Sequence, residues 1–212
     1  MSGNREGGGG NVKPRNRLAG LCLAVVAAVV PAIDPALAHR FNVALVMPLS
    51  GAASDQGRQI RNGFMLATRE RDSHPDQDSD GHLGGLDVYV SVIDAAGNVA
   101  ADIRRLATHG AIDIVAAVGT GTRLPRIARL LDGKNVALLS PGRSPFAQSD
   151  LPAVAAFVAA YGKEFGVSPT SRAARGYHAA RRLGAAVRAQ GGVGDRASLR
   201  RHFRKSRRDF AW

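Results

Sequence analysis

Apolar positions recur along the chain in two alternating rhythms. Phe41–Met47 (FNVALVM) is an unbroken apolar, β-branched run followed by Pro48-Leu49-Ser50-Gly51, the pattern of a buried strand that ends in a loop. Residues 57–71 then place Ile60, Gly63, Phe64 and Ala67 at helical spacing. The alternation repeats. Strands are predicted over 86–93, 112–118 and 136–139, and helices over 99–109 and 123–131. Beyond Pro152 the rhythm is helical only, with helices predicted over 153–165 and 171–190 and a short one over 195–204. In the second of these, Ala173, Tyr177, Ala180, Leu183 and Val187 form one apolar arc, and Thr170 or Ser171 is placed to cap it.

Strands apolar along their whole length and separated by single helices imply a parallel sheet covered on both faces. The expected fold is α/β, a doubly wound, Rossmann-like three-layer domain. In such sheets ligands bind beyond the carboxyl ends of the strands, near helix N-termini. Those ends are 48–57, 94–98, 119–123 and 140–144, all rich in Gly, Ser, Thr or Asn. Small residues there let a ligand approach the backbone, and free N–H groups suit an anion such as a carboxylate.

The first 38 residues follow a different logic. A polar, basic stretch with Arg5, Lys13, Arg15 and Arg17 precedes the apolar run Leu18–Val30, and Pro31, Pro35 and Ala36-Leu37-Ala38 follow. That order is a secretory signal peptide with cleavage after Ala38, and it places the protein in the periplasm. Cys22, the single cysteine, leaves with it, so the exported chain has no thiol, disulfide or Cys-based metal site.

Charge is divided unevenly. The formal net charge of +12 would suggest an anionic partner, but residues 39–150 carry twelve basic and twelve acidic groups, and 151–212 carry thirteen and three. The excess in the last segment includes Arg196, Arg200, Arg201, Arg204, Lys205, Arg207 and Arg208, and residues 206–212 read as a solvated basic tail. Nucleic acid is excluded as a partner of an exported protein. Enzymatic function is also excluded: there is no thiol, no G-x-S-x-G elbow and no glutamate pair, since Glu70 and Glu164 are the only Glu residues after position 38. The six His residues lack metal spacing as a group. The run Asp76-Gln77-Asp78-Ser79-Asp80-Gly81, continued to Asp87, does carry oxygen ligands at calcium-loop spacing, with Asp76, Asp78, Asp80 and Asp87 as ligands. Against calcium stands an Asp where the usual bidentate Glu falls and a strand where a helix would follow; a solvated acidic loop is the competing reading.

Several stretches now fall in a specific order: VALVMPLSGAASDQGRQIRNGFMLA at 43–67, VYVSVIDAAGN at 88–98, VAAVGTGT at 115–122, LLSPGRSP at 138–145 and the helical segment 157–192. In that order the chain resembles the N-terminal lobe of type 1 periplasmic binding proteins, the leucine/isoleucine/valine- and amide-binding solute receptors of ABC transporters. The resemblance spans residues 41–203. It implies one lobe over 39–150, completed by C-terminal helices over 151–205 that pack back onto it. It also implies ligand contacts at Ser50, Gln56, Thr120, Gly121, Thr122, Gly142 and Ser144. Thr120, Gly121 and Thr122 match the turn that holds a ligand carboxylate. Gly142 and Ser144 match the pair that holds an amino acid's main-chain groups, while Arg143 has no consistent counterpart. Gln56 stands where relatives often carry an aromatic, which tells against branched-chain amino acids.

One departure is large. Relatives clamp the ligand between two lobes, whereas here the chain passes from Ser144-Pro145-Phe146 almost directly to the late helices. Two functions follow as expectations. The first is a solute-binding component of an ABC transporter that holds an amino-acid-like or amide solute weakly and works with the permease. The second is an accessory or sensor module that docks a protein, or a second copy of itself, on the open binding face.

Overall fold

The structure is a computed structural model that describes residues 40–70, 78–109, 112–140 and 142–212; the signal peptide expected at 1–38 and Asp76 of the acidic loop lie outside them. All the described residues belong to one compact unit. Its centre is strand β1 (Arg40–Met47), whose side chains from Val43 to Met47 are all buried. β1 pairs in parallel with β3 (Leu86–Asp94) on one side and with β4 (Ile114–Ala117) on the other. β5 (Ala137–Leu139) extends the sheet in parallel beyond β4. A two-residue strand, β2 (His82–Leu83), adds an antiparallel edge, giving the order β2-β3-β1-β4-β5. The β2–β3 hairpin turns on Gly84 and Gly85, at φ 70° and 92°, where a side chain would be strained.

Alternation of side chains across the sheet divides the core into two layers. Phe41, Val43, Leu45 and Met47 face α1 (Ser54–Arg69), α4 (Pro152–Phe165), α5 (Ser171–Gln190) and α6 (Arg196–Asp209). Ala44, Val46, Ile93 and Val115 face α2 (Val99–His109) and α3 (Leu124–Leu130). The sheet is therefore covered on both faces, as its unbroken apolar strands require.

The most extensive helix contact joins α1 to α5. It is possible because both helices present glycine at the crossing. A Cβ on Gly63 would lie 1.9 Å from the carbonyl oxygen of Ala173, and one on Gly176 would lie 1.9 Å from that of Ile60. Thr170 caps α5, its hydroxyl accepting from the N–H of Arg172 at 3.2 Å, and Asp195 caps α6 through the N–H of Ser198 at 2.8 Å.

The C-terminal segment differs from the expected solvated tail. α6 runs to Asp209, and Trp212 stacks edge-on against Phe157 and Tyr177 with ring centroids 5.0 Å away from each. The alternation of apolar and basic residues in 199–212 hides this, because the arginines occupy the outer face while Leu199 and Phe203 point inward. At the amino end of the sheet, Asp113 accepts the N–H of Asn42 at 2.7 Å and pairs with Arg196, pinning the start of α6.

Candidate functional site

A cavity of about 580 Å³ opens at the carboxyl ends of β4 and β5. Each wall has a local origin. The turn after β4 supplies Gly119, Thr120 and Gly121, with Gly119 and Gly121 at positive φ, so the backbone reverses direction before α3 begins. The loop after β5 supplies Gly142, Arg143 and Ser144. Leu124, Phe146 and Ala147 give it an apolar side, and α5 closes it with Ser171 and Arg175.

Thr120 lies at the floor, only 2% exposed, and its hydroxyl has no hydrogen-bond partner among the described residues. A buried hydroxyl without a partner is costly, and this oxygen is enclosed by the protein, so Thr120 borders the cavity through its other atoms. The Ser144 hydroxyl accepts from the N–H of Phe146 at 3.3 Å, which leaves its proton free to donate toward the cavity. From behind, the loop is tied to α6: the N–H of Arg143 donates to the Arg207 carbonyl at 3.0 Å.

Four of the seven ligand residues expected from sequence are thus brought together: Thr120, Gly121, Gly142 and Ser144. The other three stand outside the cavity wall. Ser50 is engaged elsewhere, its hydroxyl held by Asp94. The same carboxylate accepts the N–H groups of Leu49 at 2.9 Å and Ala96 at 3.0 Å. Burial pushes the Asp94 carboxyl up, but the Ser50 hydroxyl and the N–H groups of Ala96, Leu49 and Ser50 together bring it below its ordinary value. Ser50 therefore shapes the loop after β1. Gln56 is half-buried on the first turn of α1, and Thr122 is exposed in the short turn before α3.

Sequence reasoning missed Ser171, Arg175 and Phe146. Arg175 lies off the apolar arc of α5, and only the crossing of α5 over the sheet's carboxyl edge gives it a place in the wall.

The acidic loop is used in the fold. The Asp80 carboxylate accepts the N–H of Val90 at 2.8 Å, and Asp87 pairs with His82 Nε2 at 2.8 Å. Among the described residues, which include Asp78, no group of three or more His, Cys, Asp or Glu side chains is placed to hold a metal ion. Among them too, no helix is long and apolar enough to cross a membrane.

Known proteins give this geometry a context. The sequence pattern of the family described as periplasmic binding protein matches residues 83–209. The solute binding protein of an ABC transporter from Rhodopseudomonas palustris BisB5, solved in complex with 3,4-dihydroxybenzoic acid, is similar with a TM-score of 0.50 and 14% identity, over 76% of this chain and 84% of that one. The ABC transporter substrate-binding protein from Sphaerobacter thermophilus gives a TM-score of 0.51 and 11% identity, over 77% and 85%. At these identities the likeness is one of fold. No curated protein matches the chain. With the family's pattern running through most of the described fold, and that fold shared with solute-binding proteins of ABC transporters, the chain belongs to the periplasmic binding protein family.

Proposed function

We propose that the protein is an extracytoplasmic solute-binding component of an ABC transporter, exported with loss of residues 1–38. Its ligand is a small solute with a carboxylate or amide end, the amino-acid and amide classes among them, and its partner is the transporter's permease. The observation that carries this reading is the cavity on the sheet's carboxyl edge, walled by the glycine-rich turn after β4 and by Gly142, Arg143 and Ser144 after β5. Family membership supports it, since the family is one of binding proteins.

One lobe offers a shelf, whereas a pocket that covers a ligand buries 70–90% of its surface. Hydrogen bonds from polar groups of the wall such as Ser144 contribute about 0.5–1.5 kcal/mol each before the loss of ligand freedom is subtracted. The affinity expected of a monomer is therefore about millimolar. A second reading, in which the face docks a protein, draws support from Arg143 and Arg175, both exposed at the cavity wall.

Calorimetry with a panel of small carboxylates, amino acids and amides tests the proposal. Binding that weakens in Ser144→Ala supports it. Failure of every compound to bind, together with saturable binding of a sensor domain or another protein that is not a transporter subunit, would favour the docking reading.

A further inference from the structure

The solute-binding reading leaves open which carboxylates or amides the cavity takes. From its charged groups we infer that it selects a carboxylate anion carrying no ammonium group, an inference that rests on that reading.

Two guanidinium groups, Arg143 from the loop after β5 and Arg175 from α5, line the cavity. Among the described residues neither side chain has an ion-pair or hydrogen-bond partner, and no Asp or Glu lines the cavity. The wall therefore carries uncompensated positive charge. An amino acid brings a carboxylate and, on the neighbouring carbon, an ammonium. The carboxylate is attracted by the guanidiniums. The ammonium finds no acidic partner and stands beside two like charges, a penalty that grows as solvent is displaced. A neutral amide avoids the repulsion but forfeits the attraction. A simple carboxylate keeps the attraction and places its remaining carbons against Leu124, Phe146 and Ala147.

Two series of matched probes separate these cases on the full chain: 3-phenylpropionate, L-phenylalanine and 3-phenylpropionamide, and the smaller propionate, L-alanine and propionamide. Ligand-observed NMR titration reads millimolar constants. In at least one series the acid should bind about fivefold or more tightly than its amino acid and its amide, with an advantage that shrinks as salt is raised. The double variant Arg143→Gln/Arg175→Gln should remove the preference while leaving the thermal midpoint close to that of the unaltered protein, since both side chains are exposed. Equal or tighter binding of the amino acid or the amide would overturn the inference and leave the solute-binding reading standing. A preference that survives in the double variant would overturn the role of the arginines. If neither the probes nor any other amino acid, amide or carboxylate binds, both readings fail together.

Discussion

Arg182 donates from Nη1 to the carbonyl oxygen of Ser140 at 2.9 Å, joining the middle of α5 to the loop that leaves β5. Its other groups reach the carbonyl of Phe203 at 2.7 Å and the hydroxyl of Ser206 at 3.3 Å, both on α6. The side chain is 1% exposed, and burial, with the nearby charge of Arg207, lowers its pKa to about 10. One guanidinium thus fixes α5, α6 and the binding loop to each other. Replacement by Met should lower the free energy of unfolding by about 2–4 kcal/mol, since two buried carbonyls lose their donor. Urea denaturation measures this. Arg182→Lys should recover little of the loss, because an ammonium lacks the planar fork that spans both carbonyls.

His178 gives the fold a dependence on pH. Its ring is 1% exposed and its Nδ1 accepts from the Trp212 indole at 2.6 Å, so the neutral ring carries its proton on Nε2. Burial first, and the charge of Arg182 second, lower its pKa from 6.5 to about 4. Between those values the unfolded chain binds a proton that the folded chain refuses. The stability contributed by the neutral ring is complete above about pH 6.5 and is lost as pH falls toward about 4, up to about 3 kcal/mol in all. Urea midpoints should decline across that interval, and His178→Gln should flatten the decline.

The contact between α1 and α5 tolerates no added carbon. Gly63→Ala and Gly176→Ala each set a methyl group 1.9 Å from a helix carbonyl oxygen, so the helices must separate. Each substitution is expected to cost about 3 kcal/mol or more, read as a drop in thermal midpoint. Gly166→Ala, where a Cβ meets nothing within 4 Å, supplies a comparison in which only the φ of 69° is unfavourable.

Trp212 is the single tryptophan of the chain, which makes it a native reporter of this packing. Its emission should shift to the red when the protein unfolds. Trp212→Ala removes ring contacts with Phe157, Tyr177 and His178 and the hydrogen bond to His178, and should lower stability by about 2–3 kcal/mol as followed by circular dichroism.

Thr120→Val tests the cost of an enclosed polar group. The valine keeps the shape and removes a hydroxyl that has no partner, so the thermal midpoint should hold or rise.

The strands and long helices were legible because their apolar residues are periodic and uninterrupted. Tyr177, Leu183 and Val187 are buried as the arc in α5 requires, and β1, β3, β4 and β5 fall where the apolar runs lie. The edge strand β2 was not legible: two residues cannot display a period, and its pairing depends on the Gly84-Gly85 turn. Arg181 and Arg182 show the limit more sharply. They are adjacent and chemically alike, yet Arg181 reaches Glu70 at 3.2 Å near the surface while Arg182 is enclosed. Only the docking of α6 distinguishes them. At the site, Thr120 and Ser144 were legible as small polar residues at strand ends. Arg175 was not, since its place in the wall comes from how α5 crosses the sheet.

The glycine-lined crossing of α1 and α5 also governs the order in which the molecule can be made. α1 emerges from the ribosome early and α5 late, so until α5 arrives the sheet face bearing Leu45, Ile114 and Leu139 lacks much of its cover. A nascent chain that stops short of α5 leaves one of its two core layers unfinished, a state exposed to aggregation. Contacts between segments so distant in sequence also slow closure of the fold. Chain synthesis and final folding are thereby separated in time, which suits the proposed export, since an exported chain must stay threadable until it has crossed a membrane.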